Sequence, residues 1–235
     1  MAGSHTIAEN ILQIQHLLDE YALSYARSGA DIQLLAVSKG QSADAIRTAH
    51  ACGLRAFGES YVQEALKKMQ SLADTAISWH FIGGIQSNKT RDIACHFDWV
   101  HSIDRLTIAQ RLSAQRPASK PPLQVCVQIN LDNESSKSGT TLVELQQLAT
   151  DIAQLPGLKL RGLMALPQAS DDFALQRNAF RKIHDAFIQL RHNGLMLDTL
   201  SMGMSNDMEA AIAEGSTLLR IGTSVFGKRP APATN

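Results

Sequence analysis

A (β/α)8 barrel preceded by an extra N-terminal helix is the fold that this sequence predicts, and three observations predict it. Short apolar runs alternate with amphipathic stretches from about residue 32 onward, which is the pattern of parallel strands joined by crossover helices. There are eight such runs, the number at which a parallel sheet closes into this barrel. Several runs are apolar on both phases, as expected when a barrel interior covers one face and helices cover the other. An open doubly wound α/β sheet is the alternative, and it gives no reason for the runs to stop at eight.

Ile7, Ile11, Ile14, Leu17, Leu18 and Tyr21 recur at helical spacing and predict the N-terminal helix over 7–27. The strand candidates follow as "IQLLAVS", "RAFGE", "WHFIG", "WVHSI", "LQVCVQI", "LRGLMAL", "TLSMG" and "LLRIGTSVF", beginning at residues 32, 55, 79, 99, 123, 160, 199 and 218, so the barrel spans 32–227. Ser42 is placed to N-cap "ADAIRTAHAC", with Gly53 beyond its end, and Asn206 with Glu209 has the form of a capping box before "AAIAEG". The Pro-rich stretch "AQRPASKPPLQ", 114–124, reads as a loop into the fifth strand. No other Gly, Ser or Pro-rich segment divides the chain, so residues 1–235 are expected to form one domain.

The 22 basic and 22 acidic side chains, with a pI near 7.1, give no long-range field of the kind that gathers nucleic acid or an acidic membrane. A small, roughly neutral ligand is the expected partner. Cys52, Cys95 and Cys126 are far apart and form no CxxC, so neither a zinc site nor a disulfide framework is indicated, in keeping with a reducing cytoplasm. No apolar stretch approaches the roughly 20 residues of a membrane span.

Barrels of this kind carry their chemistry at the C-terminal ends of the strands. Lys39 closes the first strand candidate and shares the phase of Leu35 and Val37. An amine held at an apolar barrel mouth is partly desolvated, which favours the neutral, nucleophilic form that a Schiff base needs; the alternative is a lysine whose stem lies on apolar surface while its amine reaches water. Ser201, Gly203, Ser205, Gly222 and Thr223 fall at the exits of strands seven and eight, where backbone N–H groups and helix starts commonly hold phosphate. Arg220 shares the phase of Leu218 and Gly222 and points inward, toward a ligand atom or a structural carboxylate such as Glu59 or Asp104. His80 and His101 read as hydrogen-bonded packing residues, and Met164, Met202 and Met204 as core or pocket lining. An amine and an anion cradle at one mouth fit a phosphorylated aldehyde, either pyridoxal 5'-phosphate or a sugar phosphate.

At these residues the chain resembles the YggS/PROSC family of pyridoxal-phosphate-binding proteins. The resemblance is carried by "LLAVSK", "FGESYVQEA", "WHFIGGIQSNK", "VHSIDR", "VQIN" followed by "SKSG", "GLMAL", "SMGMSNDMEAAI" and "RIGTSVFG", in order from about residue 32 to 227. It implies the barrel of fold-type III pyridoxal phosphate enzymes, with Lys39 forming the Schiff base. Ser201, Gly222 and Thr223 would contact the phosphate with Gly203 and Ser205 nearby, Arg220 would face the pyridine nitrogen, and Ser60, His80 and Met164 would line the pocket. Lys89 and Lys137 match family lysines and are either helpers in handling the aldehyde or exposed loop residues.

The resemblance further implies a non-catalytic, cytoplasmic, monomeric carrier acting in vitamin B6 and amino-acid homeostasis. Its partners would be pyridoxal phosphate, small amino acids and pyridoxal-phosphate-dependent apoenzymes; the alternative is a racemase of low activity. The related racemases add a second β domain, for which the eight residues after Gly227 leave no room. Two positions depart from the family pattern: Ser60 stands where asparagine is usual, and Gly84 where bulkier residues are common.

Overall fold

The computed structural model describes residues 6–131 and 138–228. Within them β1 (Gln33–Val37), β2 (Ala56–Glu59), β3 (Ser78–Phe81), β4 (Trp99–Ile103), β5 (Leu123–Ile129), β6 (Leu158–Ala165), β7 (Thr199–Ser201) and β8 (Leu218–Ile221) run parallel in sequence order, and β8 pairs back onto β1 to close the barrel. The helices are α1 (Ile7–Ser24), α2 (Ala43–Ala51), α3 (Val62–Ser71), α4 (Thr90–His96), α5 (Leu106–Gln115), α6 (Leu142–Ala153), α7 (Phe173–His192), α8 (Met208–Ala213) and α9 (Thr223–Phe226). The predicted (β/α)8 architecture with its extra N-terminal helix is therefore the observed one.

Local chemistry explains the helix starts. Thr6 and Glu9 form a reciprocal capping box at α1, Thr141 and Glu144 another at α6, and the Asp172 carboxylate accepts from the N–H groups of Ala174 and Leu175 at α7. Ser42 caps α2 as expected, accepting from Ala45 N–H at 3.2 Å. Gly53 follows the end of α2 at φ 100°, a left-handed conformation that an L side chain adopts only under strain. A methyl group added there would meet no heavy atom within 4 Å. Gly53→Ala should therefore cost about 1 kcal/mol from the backbone alone, read as a shift of the urea midpoint with unchanged slope; no shift would mean that the turn relaxes freely.

Two expected features are corrected. The run "LLRIGTSVF" is not one strand: β8 ends at Ile221, and the N–H groups of Val225 and Phe226 turn back to Gly222 O at 2.9 and 3.0 Å to make α9. The Asn206/Glu209 capping box does not form, because α8 starts one residue later, after Asp207. The Asp207 carboxylate instead accepts from Met204 N–H at 2.5 Å, and Glu209 accepts from the Tyr25 hydroxyl at 2.9 Å.

The main core lies between sheet and helices, where Ala36, Phe57, Phe81, Val100, Val125, Leu163, Leu200 and Leu219 meet Ile46, Ala65, Ile93, Ile108, Leu148, Ile183 and Ala211. These strand residues occupy one phase. The other phase fills the barrel with two small apolar groups, Leu35–Ala56–Leu218 and Trp99–Cys126–Met164, and with the buried polar residues His80, His101, Ser201 and Arg220. A barrel interior that is polar on the side of β3, β4, β7 and β8 is the feature on which the site is built. Among the described residues no helix is long and apolar enough to cross a membrane.

Candidate functional site at the barrel mouth

Lys39 follows β1 by two residues and is partly buried. Both of its chain neighbours are clamped. Ser38 N–H donates to Gly58 O at 2.9 Å, Ser38 Oγ donates to Glu59 Oε1 at 2.6 Å, and Gly40 N–H donates to Glu64 Oε1 at 2.6 Å. Lys68, on α3, ties these groups together: its Nζ donates to Ser38 O at 2.8 Å, to Glu59 Oε1 at 2.8 Å and to Glu64 Oε1 at 2.5 Å. Burial pushes the Glu59 carboxyl up, against the opposing pull of Lys68 and Ser38. Lys68 escaped the reading of the sequence, although its i,i+4 spacing from Glu64 was a visible signal.

Arg220 points into the barrel as its phase requires, but its partners are neither Glu59 nor Asp104. Glu59 belongs to Lys68, and Asp104 pairs with Arg105. The Arg220 guanidinium donates through Nη1 to Ser201 O at 2.5 Å and Ser201 Oγ at 2.8 Å, and through Nη2 to Ala165 O at 2.8 Å. That occupies three of its five N–H groups, and the others have no protein acceptor among the described residues. Burial lowers its pKa to about 10, with Asp207 as the largest offsetting charge, so it stays protonated at neutral pH.

Ser201 continues inward to a pair of histidines. His101 Nδ1 lies 2.8 Å from Ser201 Oγ, His101 Nε2 lies 2.9 Å from His80 Nδ1, and His80 Nε2 lies 3.2 Å from Ser78 Oγ. His80 stacks on Trp99, with ring centroids 5.3 Å apart and planes 5° from parallel. Both imidazoles are fully buried, which depresses the His80 pKa to about 3 and that of His101 well below its usual value, the latter also through His80 and Arg220. Each had been read as a lone packing residue; they are neutral partners in one chain.

The rim lies above. Ser205 and Ser224 join the loops after β7 and β8 through an Oγ–Oγ hydrogen bond of 2.8 Å. Thr223 is exposed at the first position of α9, and Gly222 sits so close to β1 that an added Cβ would approach Val37 O to 3.3 Å. Gly203, at φ 98°, has its Cα face against Ala211 and Leu219 and belongs to the packing of α8 rather than to the rim. Ser60 follows β2 with its carbonyl against Gly83, where any side chain would collide. A cavity of about 670 Å³ opens beside these loops, lined among others by Ile82, Gly84, Gln128, Leu166 and Met204.

The structure thus sorts the sequence-derived residues into two levels. Lys39, Ser205, Gly222 and Thr223 belong to the mouth, whereas Arg220, Ser201, His80, His101 and Met164 lie buried in the barrel beneath it. Ser201, expected among the phosphate contacts, has its hydroxyl engaged by Arg220 and His101, whereas Ser205 and its partner Ser224 are exposed at the rim. His80 and Met164 are floor rather than wall. Lys89 ends a short 3-10 turn in the loop from β3 to α4, and Lys137 lies outside the described residues.

Comparison with known proteins agrees with this architecture. The alanine racemase N-terminal domain family matches residues 12–230. The Pseudomonas aeruginosa pyridoxal phosphate homeostasis protein is 56% identical over 97% of this chain and 99% of its own, and the Escherichia coli K12 protein of the same name is 51% identical over 95% and 97%. Among solved structures, PipY of Synechococcus elongatus with pyridoxal phosphate bound has a TM-score of 0.83 at 35% identity and covers 94% of this chain and 100% of its own. An alanine racemase from Clostridium difficile shares the fold at 16% identity and a TM-score of 0.74, and this chain spans 58% of it. With a family match over nearly the full barrel and relatives at this level of identity, the chain belongs to the pyridoxal phosphate homeostasis proteins, which carry the alanine racemase N-terminal barrel.

Proposed function

We propose that this protein holds pyridoxal 5'-phosphate at the barrel mouth, as a Schiff base on Lys39, and serves vitamin B6 and amino-acid homeostasis as a carrier rather than as an enzyme. The observation that carries this reading is Arg220. A buried guanidinium with no carboxylate partner and two unassigned N–H groups suits an in-plane, uncharged acceptor such as a pyridine nitrogen. The Ser205–Ser224 pair, Thr223 and the close-set backbone at Gly222 suit a phosphate, since the first N–H groups of a helix have no acceptor within it. Ser60 follows directly on the end of β2, at the same end of the barrel.

When bound, pyridoxal phosphate supplies an aldehyde that condenses reversibly with amines and a ring that draws electrons from the attached carbon. Arg220 donates a hydrogen bond but, still cationic at neutral pH, does not hand over its proton. As a donor that keeps its proton, Arg220 would give the ring nitrogen less charge stabilisation than a carboxylic acid partner, so a bound ring would be a weaker electron sink. A reversible hold on an aldehyde with a weakened electron sink is what a carrier needs. It supports exchange with small amino acids and with apoenzymes, and the same reading takes the protein as a cytoplasmic monomer. The racemase alternative needs an acid–base group opposite Lys39, and the described tyrosines offer none: Tyr25 is bound to Glu209 beside α8, Tyr21 lies on α1, and Tyr61 is largely exposed.

The test is a visible spectrum followed by borohydride reduction and peptide mapping of the protein supplied with pyridoxal phosphate. The expected result is a yellow protein whose reduced adduct lies on the peptide containing Lys39. A protein that stays colourless would return Lys39 to a surface-reaching lysine. Exchange of amino-acid α-hydrogen for deuterium at a useful rate would replace the carrier with the racemase.

A further inference from the structure

Inside the barrel a single file of hydrogen bonds runs from Arg220 through Ser201, His101 and His80 to Ser78, from the end of β7 and β8 to the start of β3. Its donor sense follows from the first link. A guanidinium has no lone pair to offer, so Arg220 donates and Ser201 Oγ accepts. The Ser201 proton then needs an acceptor, and His101 Nδ1 at 2.8 Å is the one within reach among the described residues. His101 must therefore carry its own proton on Nε2 and give it to His80 Nδ1, which leaves the His80 proton on Nε2, directed at Ser78 Oγ. Every link points away from Arg220.

We propose that His101 and His80, both held as Nε2–H tautomers, are positioning residues that act through Ser201 to fix the guanidinium of Arg220 as a one-way donor toward the ligand at the mouth. The inference rests on the proposed binding of pyridoxal phosphate only for what the positioning serves; the polarity of the file is a property of the protein alone. Three carbonyl and hydroxyl oxygens, Ser201 O, Ser201 Oγ and Ala165 O, define the plane of Arg220. Of these Ser201 Oγ alone can rotate out of line. The His101 acceptor is what keeps it there, because a buried hydroxyl without an acceptor turns to find one. Neither ring can substitute charge for geometry, since both are neutral in this interior. Were the file reversed, the Ser201 hydroxyl would have to point back toward Arg220, where a donor already stands.

Two measurements decide this. In ligand-free protein with 15N-labelled histidine at pH 7, long-range 1H–15N correlations, assigned by loss of signals in His80→Phe and His101→Phe, should show a protonated Nε2 and an unprotonated Nδ1 in both rings. A protonated Nδ1 in either overturns the polarity. With pyridoxal phosphate added, His101→Phe should weaken binding about tenfold and shift the absorption maximum of the bound chromophore. His101→Asn, whose Oδ1 can replace Nδ1 as acceptor, should restore both. If His101→Phe fails to fold, Ser201→Ala breaks the same link and should give the same weakening and shift. Wild-type affinity and absorption in folded His101→Phe or Ser201→Ala would remove the positioning role. If the wild-type protein takes up no pyridoxal phosphate, the proposed function falls and the positioning role with it, while the tautomers still report on the file.

Discussion

Lowering the pH from 7 to 5 should destabilise this fold by about 2 kcal/mol for each of its two interior histidines, an expectation set by His80 and His101. An imidazole in the unfolded chain takes up a proton near pH 6.5, whereas burial holds His80 neutral down to about 3 and His101 well below its usual range. The folded pKa is depressed, so the unfolded state binds more protons below pH 6.5. Stability is thus complete above that value and falls as the pH drops toward the folded pKa, at up to about 1.4 kcal/mol per pH unit and group. Glu59 acts in the opposite sense, since its raised carboxyl pKa favours the fold as the pH approaches the usual carboxylate range. The histidines are therefore best read between pH 6.5 and 5. Urea midpoints at pH 7, 6 and 5 measure the slope, and His80→Gln should flatten it. A level profile in the wild type would mean that the imidazoles reach solvent or are charged in the fold.

Lys68→Met should lose about 3–5 kcal/mol of stability, the range for removing one partner of a buried ion pair. Glu59 is fully buried and Lys68 nearly so. Without the ammonium, one oxygen of Glu59 keeps only Ser38 Oγ, and its other oxygen already has no partner among the described residues. The cost falls on the leftover carboxylate rather than on a lost attraction, so adding Glu59→Gln to Lys68→Met should recover most of it. The same variant frees Ser38 O, one of the groups that hold the backbone beside Lys39, and on the proposed function should also weaken uptake of pyridoxal phosphate. A loss below 1 kcal/mol in the single variant, by denaturant titration, would show that water reaches Glu59 and that the pair is not a buried one.

Much of the barrel was legible because its strands are short apolar runs with polar ends. The runs at 99–103 and 123–129 coincide with β4 and β5 residue for residue. The last run was read too long because Thr223, Val225 and Phe226 are good strand formers, and only the turn at Gly222 sends them into a helix. Asn206 and Glu209 had capping spacing, yet the box is outcompeted by Asp207 bracing Met204 and by Glu209 reaching Tyr25, and α8 starts after Asp207. Inward phase identified Arg220 and the exit of β1 identified Lys39, since both follow from a period of two. Which oxygens receive Arg220 was out of reach: they lie on β6 and β7, 55 and 19 residues earlier in the chain, and are fixed by barrel closure. His80 and His101 looked solitary for the same reason, being brought together only when β3 and β4 lie side by side.

Gly84 gives the mouth a property that none of the contacts supplies. It is exposed, a methyl group built there would touch nothing within 4 Å, and it borders the cavity together with Leu166 and Met204. Where a bulkier residue would form a doorpost, this chain leaves a gap. For a ligand held on Lys39 and above Arg220, as proposed, a gap at residue 84 would lower the barrier to escape without touching the contacts that hold it. Gly84→Leu should therefore slow the escape of added pyridoxal phosphate more than it changes the equilibrium affinity, read by stopped-flow release against an absorbance titration; equal changes in both would place residue 84 among those contacts.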